Sequence, residues 1–151
     1  MKHKTTTGGC QCGALRYAFE GEPIKASICH CRMCQKAFGN FGGAFVEVKL
    51  AAFSWTHGTP SAFRSSPPVA RGFCEKCGTP MFMIEDGQDI IELSAGTLDD
   101  PSGLVFKHQV GVESRQPWFN SWHLLPEMRT DQDRTPEDLA KLKSLQHPDH
   151  E

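Results

Sequence analysis

No apolar run in the 151-residue chain approaches the roughly 20 residues that a spanning helix requires, so a membrane-embedded protein is not expected. An excess of basic charge is missing too: sixteen Lys and Arg stand against eighteen Asp and Glu, for a net charge of -2. No basic stripe in the sequence recommends a nucleic-acid partner, and the balance gives a phosphate-rich ligand little long-range steering. An even cysteine count is absent, since there are seven, and the Thr/Gly-rich start over residues 1–9 is not an apolar leader. Both features argue against a secreted disulfide scaffold and for a reducing, cytoplasmic setting. Repeats, long linkers and low-complexity blocks are lacking as well. One domain over residues 1–130, followed by a helical tail over 131–151, is therefore expected.

Hydrophobic residues make up only 38% of the chain, while Gly and Pro contribute 14 and 10 positions. A turn-rich chain with so modest a core gains from bound metal. The cysteines supply the ligands. Cys29, Cys31 and Cys34 lie within six residues, and a Zn²⁺ held by three thiolates keeps a fourth tetrahedral position for water or a substrate. The competing reading is a closed structural site whose fourth ligand is His30 or a distant side chain.

Alternation predicts a strand over residues 14–20, with Leu15, Tyr17 and Phe19 on one face, and another over 24–29 that ends at Cys29. The segment from Arg32 to Phe38 lacks β-branched residues and reads as a helical turn closed by Gly39, with Met33 and Phe38 as packing residues. Arg32 and Lys36 either offset thiolate charge and hold a ligand's carboxylate or are ordinary solvated surface. Short strands over 43–48, 52–56, 61–64, 79–85, 89–94 and 105–112 complete an antiparallel pattern. Asp99 and Asp100 read as turn-forming, and His108 as a partly buried, satisfied histidine. The aromatic run around Trp118, Phe119 and Trp122 either walls a pocket or closes the core. Thr135-Pro136 opens an amphipathic helix with Leu139, Leu142 and Leu145, and His147 and His150 lie in the tail beyond it.

Cys10 and Cys12, flanked by glycines, and Cys74 and Cys77 of Cys74-Glu75-Lys76-Cys77-Gly78 have knuckle spacing. A redox reading of the C-x-x-C pair needs a βαβ context that the sequence does not offer. Seven thiols divide most simply into four and three. The alternative, in which one outer cysteine joins the central three, leaves three thiols stranded.

Four segments now combine: Gly9-Cys10-Gln11-Cys12-Gly13, the run from Cys29 to Cys34, Arg71-Gly72-Phe73-Cys74-Glu75-Lys76-Cys77-Gly78, and Gly96-Thr97-Leu98-Asp99-Asp100-Pro101. In this order, from about Gly8 to Trp118, the chain resembles the glutathione-dependent formaldehyde-activating enzyme family, which includes centromere protein V-like domains. The resemblance implies a mainly β fold, an antiparallel β-tent. It also implies two Zn²⁺ ions: structural zinc on Cys10, Cys12, Cys74 and Cys77, and a second, catalytic zinc on Cys29, Cys31 and Cys34. The implied activity is that of a carbon-sulfur lyase run in reverse, with glutathione or another small thiol added to formaldehyde or another small aldehyde. In this chain Arg32 stands where many members carry a small residue, and Gln35 replaces a frequent basic one. A noncatalytic zinc-stabilised binding domain and a redox-sensing zinc site are the rival functions.

Overall fold

The alternation of Leu15, Tyr17 and Phe19 marks the seam of the fold, for all three side chains are buried. The structure, a computed structural model, describes residues 4–150. Among them, β1 (Thr5–Gly9) and β2 (Arg16–Glu20) form an antiparallel hairpin, and β5 (Phe53–His57) pairs with the other edge of β2 to complete a three-stranded sheet. A seven-stranded sheet packs against it. Its order is β10 (Phe106–Val110), β3 (Lys25–Cys29), β4 (Gly43–Lys49), β9 (Ile90–Ser94), β8 (Pro80–Glu85), β7 (Val69–Phe73) and β6 (Ser61–Ser66). Tyr17 and Phe19 join Val46, Val48, Ile91 and Leu93 in one core, where Trp55 also meets Phe82 with ring centroids 5.9 Å apart.

The other face of the large sheet is polar. Cross-strand partners place Lys25, Glu47, Glu92, Met83, Arg71 and Phe63 in one row across six strands, because directly opposed residues point the same way. Cys29 lies on this face at the end of β3, two pleats along from Lys25. Helix α1 (Arg32–Phe38) follows at once and stays on the sheet through an edge-to-face contact of Phe38 with Phe45, 5.5 Å between centroids.

The chain is mainly β and its strand pairs are mostly antiparallel, as the alternation implied. One pair departs from the expectation: β10 runs parallel to β3, since the crossover after β9 carries the chain across to the outer edge of β3. Alternation reports burial, not direction. Strands β1 and β7 carry no clear apolar period and were not anticipated; partners pair them through the backbone. The terminal helix α2 (Pro136–Lys141) is capped by Thr135 as expected, but it stops before Leu145, which is 92% exposed. Ser144 Oγ accepts from the Gln146 amide there, a local turn that competes with helix. No helix of the described residues is long and apolar enough to cross a membrane.

Candidate metal centres and the adjoining cavity

The outer centre is built by two backbone turns. Residues 10–15 loop back with the Cys10 amide on the Leu15 carbonyl at 3.0 Å, and the Leu15 amide donates to Cys10 Sγ at 3.3 Å. Residues 74–79 form the matching knuckle, in which the Cys74 amide meets the Thr79 carbonyl at 3.0 Å and Gly78 takes φ +75°, open to glycine. The Gln11 amide donates to Thr79 Oγ1 at 3.1 Å and binds one turn to the other. The Sγ atoms of Cys10, Cys12, Cys74 and Cys77 then all lie within 4.8 Å of one another. Cys10 to Cys12 is 3.6 Å and Cys12 to Cys74 is 3.8 Å. Tetrahedral zinc with Zn–S bonds of about 2.3 Å separates its sulfurs by about 3.8 Å, so this donor set fits the ion. Burial pushes the Cys77 thiol up, but hydrogen bonds led by Thr79 outweigh it and hold the group near 6.

The central centre sits where β3 passes into α1. Cys29 closes the strand. Cys31 is the N-cap, its sulfur accepting from the Cys34 amide at 3.4 Å, and Cys34 is buried in the first turn. The three sulfurs again lie within 4.8 Å of one another, with Cys29 to Cys31 at 3.4 Å. A hydrogen bond from Cys34 holds Cys29 down to about 5, and donating that bond, with burial, pushes Cys34 up. All seven cysteines are free, as metal ligation requires.

No fourth His, Cys, Asp or Glu among the described residues joins the central sulfurs. His30, the nearest candidate in sequence, turns away: its ring is fully buried, Nε2 lies 2.9 Å from Gln109 Oε1, and Phe119 packs edge-on at 4.7 Å. Gln35 fixes this corner by donating to the carbonyls of His30 at 2.6 Å and Ser114 at 2.8 Å. The aromatic run therefore backs the cluster through Phe119, Trp122 and Phe41. His108 is exposed on β10 rather than partly buried, because neither face of that edge strand is covered. Asp100 caps a turn at Ser102 as read, whereas Asp99 accepts both Arg16 Nη atoms in a buried ion pair. His147 joins neither sulfur group; its amide donates to Gln11 O at 2.8 Å, which docks the tail beside the outer centre.

Sequence reasoning missed Arg71. It is 9% exposed, donates from Nε to Ser65 Oγ at 3.0 Å, and sends Nη2 to Cys34 Sγ at 3.4 Å. No local pattern announces this contact, since the partner lies 37 positions away on α1. Arg71 also lines a cavity of about 390 Å³ between α1, which supplies Arg32, Met33, Lys36 and Ala37, and the β6–β7 hairpin, which supplies Phe63 and Ser65. Met33 is half exposed in that wall rather than packed in the core.

Two thiolate groups of zinc-like geometry, one of four ligands and one of three, are a distinctive constellation on this fold. The sequence profile of the glutathione-dependent formaldehyde-activating enzymes matches residues 5–114, and the chain belongs to that family. Among solved structures, it is similar to the crystal structure of a Rhodobacter sphaeroides protein, with a TM-score of 0.53 and 16% identity. The likeness covers 67% of this chain and 99% of that one and concerns the fold alone.

Proposed function

We propose that this protein reversibly adds a small thiol, glutathione or a relative, to formaldehyde or another small aldehyde at the Cys29–Cys31–Cys34 centre. In this reading one Zn²⁺ on Cys10, Cys12, Cys74 and Cys77 is structural and a second on the central cysteines takes part in the reaction. The catalytic unit lies within residues 1–130, with 131–151 as an accessory tail. Free thiols throughout suit a reducing compartment such as the cytoplasm.

The observation that supports it most is the unequal filling of the two centres: four sulfurs saturate a tetrahedron, whereas three, beside a cavity, leave one position for an incoming ligand. Bound there, Zn²⁺ would supply that position and favour the thiolate form of an entering thiol. The chain's own residues do the rest. Arg71, fixed by Ser65 and Cys34, sets a permanent cation beside the sulfurs, where it offsets thiolate charge and the negative charge that develops on the carbonyl oxygen. The cavity walls bring sulfur and carbonyl carbon together and limit water. A sulfur–carbon bond forms as the carbonyl π pair moves to oxygen. The proton lost by the thiol ends on that oxygen, giving a hemithioacetal.

Because this addition also occurs uncatalysed, the test is an exchange rate. Nuclear magnetic resonance with ¹³C-formaldehyde and glutathione should show faster exchange between free and adduct carbon with zinc-loaded protein than without it, and the gain should vanish in Cys34→Ser. An exchange rate equal to the protein-free control for a panel of thiols and aldehydes would leave a noncatalytic binding domain as the better reading.

A further inference from the structure

The family profile matches residues 5–114, so the end of the chain lies outside what the family describes. Of residues 121–150, all but Leu139 and His147 are exposed. A terminal segment stays loose unless something ties it down, and His147 is where this one is tied. Its amide donates to Gln11 O at 2.8 Å, and its ring lies over Gly13, where an added Cβ would meet His147 Cγ at 2.7 Å. Gly13 also takes φ +78°, so the missing side chain serves both the turn and the ring. Gln11 and Gly13 flank Cys12. That cysteine is the exposed one of the outer four, whereas Cys10 and Cys74 are buried and Cys77 is partly so. Around the anchor the tail holds its own shape: Gln146 Nε2 donates to Asp149 Oδ1 at 3.3 Å, and the Gln146 amide to Ser144 Oγ at 3.1 Å. Ser144, Leu145 and Gln146 face Cys12 and Cys77 across a hollow of about 350 Å³.

We propose that residues 144–149 are a strap that holds Cys12 in place as a metal ligand, with His147 as the positioning residue. A four-sulfur centre sheds its ion one ligand at a time, and the ligand most open to a competitor goes first. Cys12 is that ligand. The Gln11 amide is already tied to Thr79 Oγ1 at 3.1 Å; the His147 amide ties the Gln11 carbonyl from the other side, and the imidazole ring keeps Gly13 from swinging outward. With one backbone bond and one ring contact as anchors, the strap lifts without unfolding the sheets, so release of the outer metal is governed locally. This role rests on the outer group holding a metal, as proposed above.

The test is zinc release from the loaded full-length chain into an excess of coloured chelator, joined to iodoacetamide labelling of each cysteine read by peptide mass mapping. His147→Pro removes both anchors, the amide hydrogen and the imidazole ring. It should speed loss of the outer ion about tenfold, with Cys12 the first outer cysteine labelled and the rates at Cys29, Cys31 and Cys34 unchanged. A chain ending at Lys143 should behave alike. His147→Phe keeps the amide and a flat ring and should keep wild-type rates. Unchanged release in either His147→Pro or the shortened chain would overturn the strap, as would faster labelling of all seven cysteines together, the mark of a weakened fold. Release in His147→Phe as fast as in His147→Pro would overturn it too, because an imidazole nitrogen rather than the two anchors would then be at work. Absence of zinc from the outer group would defeat the metal reading on its own; faster Cys12 labelling in His147→Pro would then still uphold the hold on the turn, and equal labelling would remove it.

Discussion

At the scale of single residues, two contacts outside the sulfur groups decide much. Asp99 accepts from both Nη atoms of Arg16 and from Thr7 Oγ1, with the ion-pair side chains 7% and 11% exposed. Burial pushes Asp99 up, but the bonds from Arg16 and Thr7 outweigh it and leave the carboxyl below its ordinary value. A depressed carboxylate stabilises the fold above its unfolded value of about 3.9 and loses that contribution as pH falls through the folded value. Asp99→Asn should cost about 3 kcal/mol at neutral pH, and the gap from wild type in urea melts should shrink below about pH 4. A gap that stayed constant down to acid unfolding would show that charge is not the source. Gly111 matters for the central centre: its φ is +62°, and an added Cβ would lie 2.8 Å from the Cys31 amide nitrogen. Gly111→Ala should lose about 2 kcal/mol and weaken the central metal in chelator competition, leaving the outer one unchanged. Neither contact was legible in the sequence. Asp99 looked like turn chemistry, and it is the fold that carries Arg16, 83 positions away, to its side.

At the scale of elements, the two centres do different structural work. The outer one joins turns whose cysteines lie 62 positions apart, Cys12 and Cys74, so losing a ligand there opens a long loop. The central one gathers its ligands within six residues at a strand–helix junction already held by Gln35. Cys77→Ser should therefore lower the melting temperature more than Cys34→Ser, which should chiefly reduce central metal and thiol binding. The reverse ranking in thermal melts would exchange the structural roles of the two sites. Elements with a strong period or a defined cap were legible: the Leu15, Tyr17 and Phe19 face, the helix from Arg32 to Phe38, and the Thr135 cap. Strands of glycine and threonine, such as β1, and the parallel direction of β10 were not, because backbone pairing and chain crossover leave no local side-chain pattern.

At the scale of the whole molecule, the grouping of cysteines into four and three was readable from spacing, since close ligands need only a turn to converge. The wall opposite them was not. Arg71 and Phe63 reach the site through a hairpin at the far edge of the seven-stranded sheet, and only the assembled sheet brings that edge over α1. Unequal centres should also lose metal unequally: graded chelation followed by elemental analysis should show two zinc equivalents per chain leaving in two steps, the central first. Simultaneous loss would contradict the division. The most direct measurement is the absorption of cobalt(II)-loaded protein titrated with glutathione, because sulfur-to-cobalt charge transfer reports each added thiolate. The expected result is a rise in that band, saturating at one glutathione per chain, missing with S-methylglutathione and missing in Cys34→Ser. A spectrum unchanged by glutathione at saturating concentration would contradict an open, thiol-accepting centre on Cys29, Cys31 and Cys34.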